Sequence, residues 1–202
     1  MEITKVEKLT NEKWLNLFAA TYTLGRGLET APQQRTGRWV FASRKPGDDP
    51  YKIADRADAV LIVALLHEPG RPPRLVLEKE FRVPVGDFVI GMPAGLLEPN
   101  ESIEDTVRRE LREETGYEVT KIRRITPPLY SSSGMTDEAA AIAFVDCVAV
   151  PDGKTQLEDS EVIEVLLLDF DEICRLCDAA GVRIDAKVWQ TLYMYRQLGR
   201  LE

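Results

Sequence analysis

The sequence is poor in the residues that build disulfide frameworks and zinc sites. Its 202 residues include three cysteines and a single histidine, His67. Cys147 is isolated, while Cys174 and Cys177 form one CxxC without a second pair. Disulfide scaffolds use an even, dense set of cysteines, and structural zinc takes four Cys or His ligands. We therefore expect two structural cysteines packed one helical turn apart, and a surface or strand-end position for His67.

Long apolar segments are absent as well. No apolar run approaches the roughly 20 residues needed to cross a bilayer. The N-terminal stretch MEITKVEKLTNEKW lacks the apolar core of a secretory signal. Hydrophobic residues make up 44% of the chain and charged residues 30%, which is typical of a packed soluble domain. These features predict a cytoplasmic protein without membrane contacts.

Positive charge is in short supply. Lysine and arginine number 26 against 34 aspartate and glutamate residues, which leaves a formal net charge of −8. This balance argues against nucleic-acid binding through a basic surface. The same charge would repel a phosphate-bearing small molecule, so an enzyme acting on one would need arginines or a metal ion placed locally.

Hydrophobic patterning predicts strands and helices that follow one another without a regular βαβ rhythm. Strands are expected over 35–45, 58–68, 74–85, 87–95, 141–150 and 162–170. Helices are expected over 103–115, in DEICRLCDAAG, in VWQTLYMYRQLGRL and, from the spacing of Trp14, Leu17 and Phe18, in a short N-terminal amphipathic segment. The pattern predicts an α/β (α+β) domain with a mixed sheet flanked by helices. The turn KPGDDP suggests a boundary near residue 50, between segments 1–50 and 51–202.

The most informative stretch is GLLEPNESIEDTVRRELREETGY, residues 95–117, here called the acidic segment. Ser102 is a favourable N-cap, and Asp105 makes a variant of the capping box. Gly116 stands where a left-handed residue would end the helix. The sequence therefore predicts a helix over 103–115.

Carboxylates crowd one side of this predicted helix. Ile103, Val107 and Leu111 recur every four residues and define its buried stripe. At about 100° per residue, Glu110 and Glu114 fall at the edge of the stripe or within it. Inward carboxylates near a helix C-terminus are unfavourable unless a cation neutralises them. Hard oxygen ligands of this kind suit Mg²⁺ or Mn²⁺.

The acidic segment resembles the Nudix box, GX₅EX₇REUXEEXGU with U a bulky apolar residue. The matching positions are Gly95, Glu101, Arg109, Glu110, Leu111, Glu113, Glu114 and Gly116, while Tyr117 replaces the usual aliphatic residue at the last U. The resemblance implies a Nudix fold, a mixed sheet sandwiched between helices, with the acidic segment forming a loop, a helix and a second loop.

The resemblance also implies roles for individual residues. Glu110 and Glu114 would be metal ligands, with Glu113 a third ligand or a bridge through water, and the Ala94 carbonyl an additional ligand. Arg109 would hold the carboxylates in place, Glu101 would support it, and Gly95 would bring the loop backbone close to the metal ions. The cofactor would be Mg²⁺ or Mn²⁺.

From about residue 35 onwards, the chain is similar to the ADP-ribose pyrophosphatase-like branch of that family. EFRVPVGDFVIGMPAG resembles the strand and loop in which an arginine, here Arg82, contacts substrate. SEVIEVLLLD resembles the segment that carries the catalytic base, which makes Glu161 the candidate and Glu158 the alternative. In that branch, residues 1–50 would form a β-rich dimerisation arm. Trp39 could then stack on the substrate base, with Arg56 a further contact.

Two departures from the branch bear on the substrate. Ser133 stands where ADP-ribose enzymes commonly have proline, although Gly134 fits the loop, and Gly91 stands where a glutamate usually precedes PAG. We expect hydrolysis of a nucleoside diphosphate sugar to a nucleoside monophosphate and a sugar phosphate. The alternatives are a Nudix hydrolase of dinucleotides or nucleoside triphosphates, and a silent Nudix-fold binding module. The last would predict damaged carboxylates, and Glu110, Glu113 and Glu114 are intact.

Overall fold

The computed structural model describes residues 1–25, 35–53, 56–151, 153–157 and 161–201. The chain forms two compact units: unit 1 is residues 1–58 with 128–140, and unit 2 is residues 59–127 with 141–202. In the described residues the elements are, in chain order, β1 (Glu2–Lys8), β2 (Asn16–Leu24), β3 (Arg35–Ser43), β4 (Ala59–Leu66), β5 (Arg74–Arg82), β6 (Asp87–Gly91), β7 (Ala94–Leu96), α1 (Ile103–Thr115), β8 (Tyr117–Ile125), β9 (Leu129–Tyr130), β10 (Ala139–Ala149), β11 (Ile163–Leu168), α2 (Phe170–Cys177) and α3 (Ala186–Leu198).

Unit 1 is built on a three-stranded antiparallel sheet in the order β1-β2-β3. Its small core contains Phe18 and Phe41, whose rings stack with centroids 5.9 Å apart. The later segment 128–140 belongs to this unit, because the Ala42 amide donates to the Met135 carbonyl at 2.8 Å. Strand β9 pairs with the first two residues of β10.

The predicted N-terminal helix is wrong, because its residues form β2 instead. Phe18, Ala19 and Ala20 are buried in succession, so the segment does not present the single apolar stripe of an amphipathic helix. β2 pairs with β1 on one side and β3 on the other. The helical spacing of Trp14, Leu17 and Phe18 was a local coincidence, overridden by hydrogen bonding to both neighbouring strands.

Unit 2 contains the larger sheet, with strands in the order β11-β5-β4-β10-β8, β6 beside β5, and β7 beside β4. Odd-numbered side chains of β4 and β5 pack against Ile173 of α2 and Leu192 of α3. Even-numbered Glu78 of β5 instead contacts Glu114 of α1. Because strand side chains alternate between faces, α1 covers one face and α2 with α3 the other. The predicted sandwich of a sheet between helices is confirmed.

Most of the predicted elements are confirmed, including all three helices of unit 2 and the fully buried strand β4. The sequence does not predict β1, β8 or β9. Cys147 is buried, and Cys174 and Cys177 are half-buried free thiols on α2. His67 directly follows β4, and its Nε2 lies 2.8 Å from Asp146 Oδ1. Among the described residues, no helix has the length and apolar character that a membrane span needs.

Candidate active site

Helix α1 begins and ends as its sequence predicts. The Ser102 hydroxyl accepts from the Asp105 amide at 3.1 Å and donates to Asp105 Oδ2 at 2.7 Å. At the other end, Gly116 has φ +74° and its amide donates to the Arg112 carbonyl. These two caps fix the length of α1, and so fix where its last turn places Glu110, Glu113 and Glu114.

Arg109 links the carboxylates of the acidic segment. Its Nε and Nη2 donate to the two carboxylate oxygens of Glu101 at 2.8 and 2.9 Å. Its Nη1 donates to Glu110 at 2.7 Å and to Glu113 at 3.2 Å, and Nη2 also reaches the Leu96 carbonyl. The Arg109 guanidinium lowers the pKa of Glu101 to about 2. One planar fork thus orients three glutamates and ties the preceding loop to the helix.

Gly95 lets the loop backbone lie directly against Glu110. A Cβ placed on Gly95 would lie 1.8 Å from Glu110 Oε1 and 1.9 Å from its Cδ, so any side chain there would displace the Glu110 carboxylate. The backbone is held there by β7, in which Gly95 pairs with Val60 of β4. Burial raises the pKa of Glu110, and Arg109 opposes that shift. The close approach explains why this position of the acidic segment is glycine.

Glu114 is the most buried carboxylate of the acidic segment, at 5% exposure. Its Oε2 accepts from the Ala94 amide at 3.0 Å, which brings the end of the Pro/Gly turn onto the last turn of α1. Its side chain also interacts with that of Glu78 of β5. Burial, with the charges of Glu78 and Glu110, raises the pKa of Glu114. The predicted ligand atom of Ala94 is its carbonyl, and that role stays a prediction.

Two glutamates of β5 join the cluster, and the sequence analysis missed both. Glu78, Glu80 and Arg82 alternate along β5 and therefore share one face. Glu78 is 1% exposed. Arg82 Nη2 lies 2.7 Å from Glu80 Oε2, which places the predicted substrate-binding arginine beside the carboxylates. The available signal was the alternation E-K-E-F-R, which in a strand puts every second residue on one side.

Glu161 lies close to the same cluster. It precedes β11, whose first residue, Ile163, pairs with Glu80 of β5. Its charge contributes to the raised pKa of four carboxyls, for each of which burial is the largest cause: Glu78, Glu80, Glu110 and Glu114. The alternative base, Glu158, lies outside the described residues. The role of Glu161 as the base stays a prediction.

The donor set fits a divalent cation. Carboxylate oxygens from α1 and β5 are buried together, and they repel one another as anions. Glu78 Oε1 is buried and has no hydrogen-bond partner in the described part of the chain. Across the same residues, no three acidic, cysteine or histidine side chains converge as metal ligands do. Glu110 and Glu114 instead direct oxygens to Arg109 and the Ala94 amide. Hard oxygen donors of this type suit Mg²⁺ or Mn²⁺.

The remaining predicted residues belong to unit 1. The Trp39 indole is 53% exposed, and its Nε1 donates to the Gly134 carbonyl at 3.1 Å. Trp39 borders a cleft of about 500 Å³ that other aromatic side chains also line: Tyr22, Phe41, Tyr51 and Tyr130. Arg56 is exposed. The structure thus brings Trp39 and Gly134 together in unit 1, and Arg82, Glu161 and the acidic segment together in unit 2.

A sheet between helices, with a capped helix whose carboxylates are organised by one arginine, defines a Nudix domain. The family model described as NUDIX domain matches residues 55–190, and the chain belongs to that family. It is 31% identical over 197 residues to the ADP-ribose pyrophosphatase of Saccharomyces cerevisiae, covering 93% of this chain and 79% of that protein. It is 27% identical over 195 residues to the ADP-sugar pyrophosphatase of Mus musculus, covering 93% of this chain and 84% of that one.

A solved structure supports the same fold. The crystal structure of an ADP compounds hydrolase matches with a TM-score of 0.66, covering 98% of this chain and 92% of its own. Sequence identity in that comparison is 14%, so the match establishes the fold alone. The predicted family and fold are thereby confirmed.

Proposed function

We propose that this Nudix hydrolase cleaves the pyrophosphate bond of a nucleoside diphosphate sugar of the ADP-ribose type, giving a nucleoside monophosphate and a sugar phosphate. The observation that carries the proposal is the cluster itself, in which Arg109 orients Glu110 and Glu113 while Arg82 lies beside the carboxylates of β5. The relatives named ADP-ribose and ADP-sugar pyrophosphatases align along 93% of this chain, which favours the same substrate class.

The reaction adds one water molecule across the phosphoanhydride. The water oxygen forms a bond to one phosphorus, and the bridging oxygen leaves with the other phosphate. We assign Glu161 as the base that accepts the proton of the water, and the Arg82 guanidinium as the group that binds a phosphate oxygen. Mg²⁺ or Mn²⁺, held by Glu110, Glu113, Glu114 and the Ala94 carbonyl, would neutralise the diphosphate and activate the water.

We assign the base of the substrate to the aromatic cleft of unit 1. Trp39 offers a half-exposed ring for stacking, with Gly134 hydrogen-bonded to it and the exposed Arg56 as a further contact. This assignment rests on the ring exposure and on the resemblance to the ADP-ribose pyrophosphatase-like branch. A base-binding role predicts that Trp39 affects substrate affinity more than turnover.

We also propose a cytoplasmic homodimer in which residues 1–50 form the dimerisation arm and residues 51–202 the catalytic domain. Large apolar side chains exposed on β1–β3 support this role, among them Ile3, Leu17 and Val40 at 42–45% exposure. The net charge of −8 disfavours a nucleic-acid partner. Light scattering during size-exclusion chromatography would measure a dimer mass, and a variant lacking residues 1–50 would run as a monomer.

The function is tested with a substrate panel. The protein is incubated with Mg²⁺ or Mn²⁺ and with ADP-ribose, ADP-glucose, GDP-mannose, UDP-glucose, dinucleotides and nucleoside triphosphates, and the products are separated by chromatography. Glu114→Gln should abolish turnover, while Glu104→Gln, an exposed residue of the first turn of α1, should not. Turnover of a diphosphate sugar to two monophosphates supports the proposal. Activity confined to dinucleotides or triphosphates would contradict the proposed substrate class, a nucleoside diphosphate sugar, and identify another. Complete inactivity of a folded protein would favour a binding module.

A further inference from the structure

Glu78 of β5 is a buried carboxylate that the proposed mechanism does not use. It is 1% exposed, compared with 5% for Glu114, and its carboxyl interacts with that of Glu114. Ionisable side chains are seldom buried so completely without a partner of opposite charge. Arg82, whose charge acts on this carboxyl, is already paired with Glu80 at 2.7 Å. The burial of Glu78 therefore needs a reason beyond packing.

The free oxygen of Glu78 indicates what that reason is. Its Oε1 is buried and lacks a hydrogen-bond partner among the residues that the structure describes. Buried polar atoms are nearly always satisfied, and a cation is a partner that would satisfy an exception inside a set of carboxylates. Glu80, Glu114 and Glu161 all bear on this carboxyl electrostatically. The unpartnered oxygen lies within the acidic cluster, not in an isolated cavity.

The strand register identifies a second position beside Glu78 from which a carboxylate could be tested. Glu78 lies directly opposite Gly91 in the antiparallel pair of β5 and β6. Directly opposed residues project to the same face, with Cβ atoms about 4.5–5.5 Å apart. Among the described residues, a Cβ on Gly91 would meet only the Glu78 carbonyl oxygen, at 4.0 Å, so the position has room for a Cβ. A glutamate at 91 would enter the cluster from the neighbouring strand.

We propose that Glu78 is a cation-binding residue of this Nudix site, holding a divalent ion together with Glu114. The proposal rests on the metal dependence in the proposed function and adds to it a ligand from β5, outside the acidic segment. The alternative is that Glu78 and Glu114 share a proton as a purely structural pair. The two differ in what happens to metal affinity when the charge on Glu78 is removed.

The test measures Mn²⁺ binding to the nucleotide-free protein by isothermal titration calorimetry and by the electron paramagnetic resonance of free Mn²⁺. Glu78→Gln keeps the shape and a hydrogen-bond donor towards Glu114 but removes the charge, and we expect Mn²⁺ affinity to fall at least tenfold. In Glu114→Gln, the affinity for Mn²⁺ should fall by at least as much. Glu164→Gln is the matched control, because this exposed glutamate of β11 lies opposite Lys79. The Glu164→Gln variant should bind Mn²⁺ with the affinity of the wild type.

A relocated carboxylate makes the test more specific. The double variant Glu78→Gln with Gly91→Glu should regain Mn²⁺ affinity, which a structural role for Glu78 would not produce. If Glu78→Gln fails to fold by circular dichroism, Glu78→Met removes the charge with a side chain of similar size. Wild-type affinity in a folded Glu78 variant, beside a weakened Glu114→Gln, overturns the inference alone. Failure of the wild type to bind Mn²⁺ would instead overturn the metal site of the proposed function.

Discussion

Replacing Gly95 by alanine should impair turnover strongly and stability only moderately. Gly95 does not have a positive φ, so its backbone accepts alanine. The new Cβ, however, would overlap Glu110 Oε1 at 1.8 Å and Oε2 at 2.5 Å. The carboxylate must rotate away, and its 2.7 Å hydrogen bond from Arg109 Nη1 must break. The substitution therefore displaces one predicted metal ligand and leaves the rest of the fold intact.

The expected changes in stability and in kcat follow from the contact between Gly95 and Glu110. A hydrogen bond to a charged group contributes about 1.5–3 kcal/mol to stability. Replacing glycine by alanine stabilises the fold by about 0.4–1 kcal/mol, because the unfolded chain loses conformational freedom. The net destabilisation should be about 1–2 kcal/mol, which lowers the melting temperature of a chain of this size by roughly 2–8 °C. Misplacing a ligand by about 1 Å is expected to lower kcat about 100-fold.

Thermal unfolding measures the change in melting temperature, and steady-state kinetics on the preferred substrate measure the change in kcat. Gly25→Ala is the control, because a Cβ there meets no atom of the described residues within 4 Å, and it should leave stability and kcat unchanged. A Gly95→Ala protein with wild-type kcat would refute the argument that the Gly95–Glu110 contact positions a ligand. A protein that fails to fold would show that the contact serves stability instead.

The remaining predictions concern the arginine, the base and the aromatic ring. Arg109→Gln should destabilise the fold by about 2–3 kcal/mol at neutral pH. The folded pKa of Glu101, about 2, lies below its ordinary 4.5. The stability that ionised Glu101 contributes through Arg109 is therefore present above pH 4.5 and is lost as the pH falls towards 2. Chemical unfolding should show the difference in unfolding free energy between variant and wild type narrowing between pH 4.5 and 2. Glu161→Gln should lower kcat about 10²–10⁴-fold with Mn²⁺ affinity kept, whereas the same loss in Glu158→Gln alone would move the base to that residue. Trp39→Ala should raise KM roughly tenfold or more, since stacking contributes about 1–3 kcal/mol, with Trp39→Phe near wild type; a change in kcat alone would contradict base binding.

Features that depend on neighbours in sequence could be predicted from the sequence. The N-cap at Ser102 and the left-handed Gly116 delimit α1 through contacts within a few residues, so local chemistry was sufficient. The spacing of Glu110, Glu113 and Glu114 around Arg109 depends only on helix geometry, and it identified the family without coordinates. The buried strand β4 was visible for the same reason, as a continuous apolar run.

Contacts beyond a residue's own segment decided the rest. Phe18 belongs to β2 because β1 and β3 flank it, and nothing in its own segment announces those partners. Glu78 resembles any strand residue until the β5–β6 register sets it opposite Gly91 and the face of β5 presents it to α1. The sequence alone predicted Glu110, Glu113 and Glu114 as cation ligands, because their spacing is a property of one helix. Only the tertiary structure, by packing one face of β5 against α1, decided that carboxylates outside the acidic segment join them, because the residues that meet there are distant in sequence.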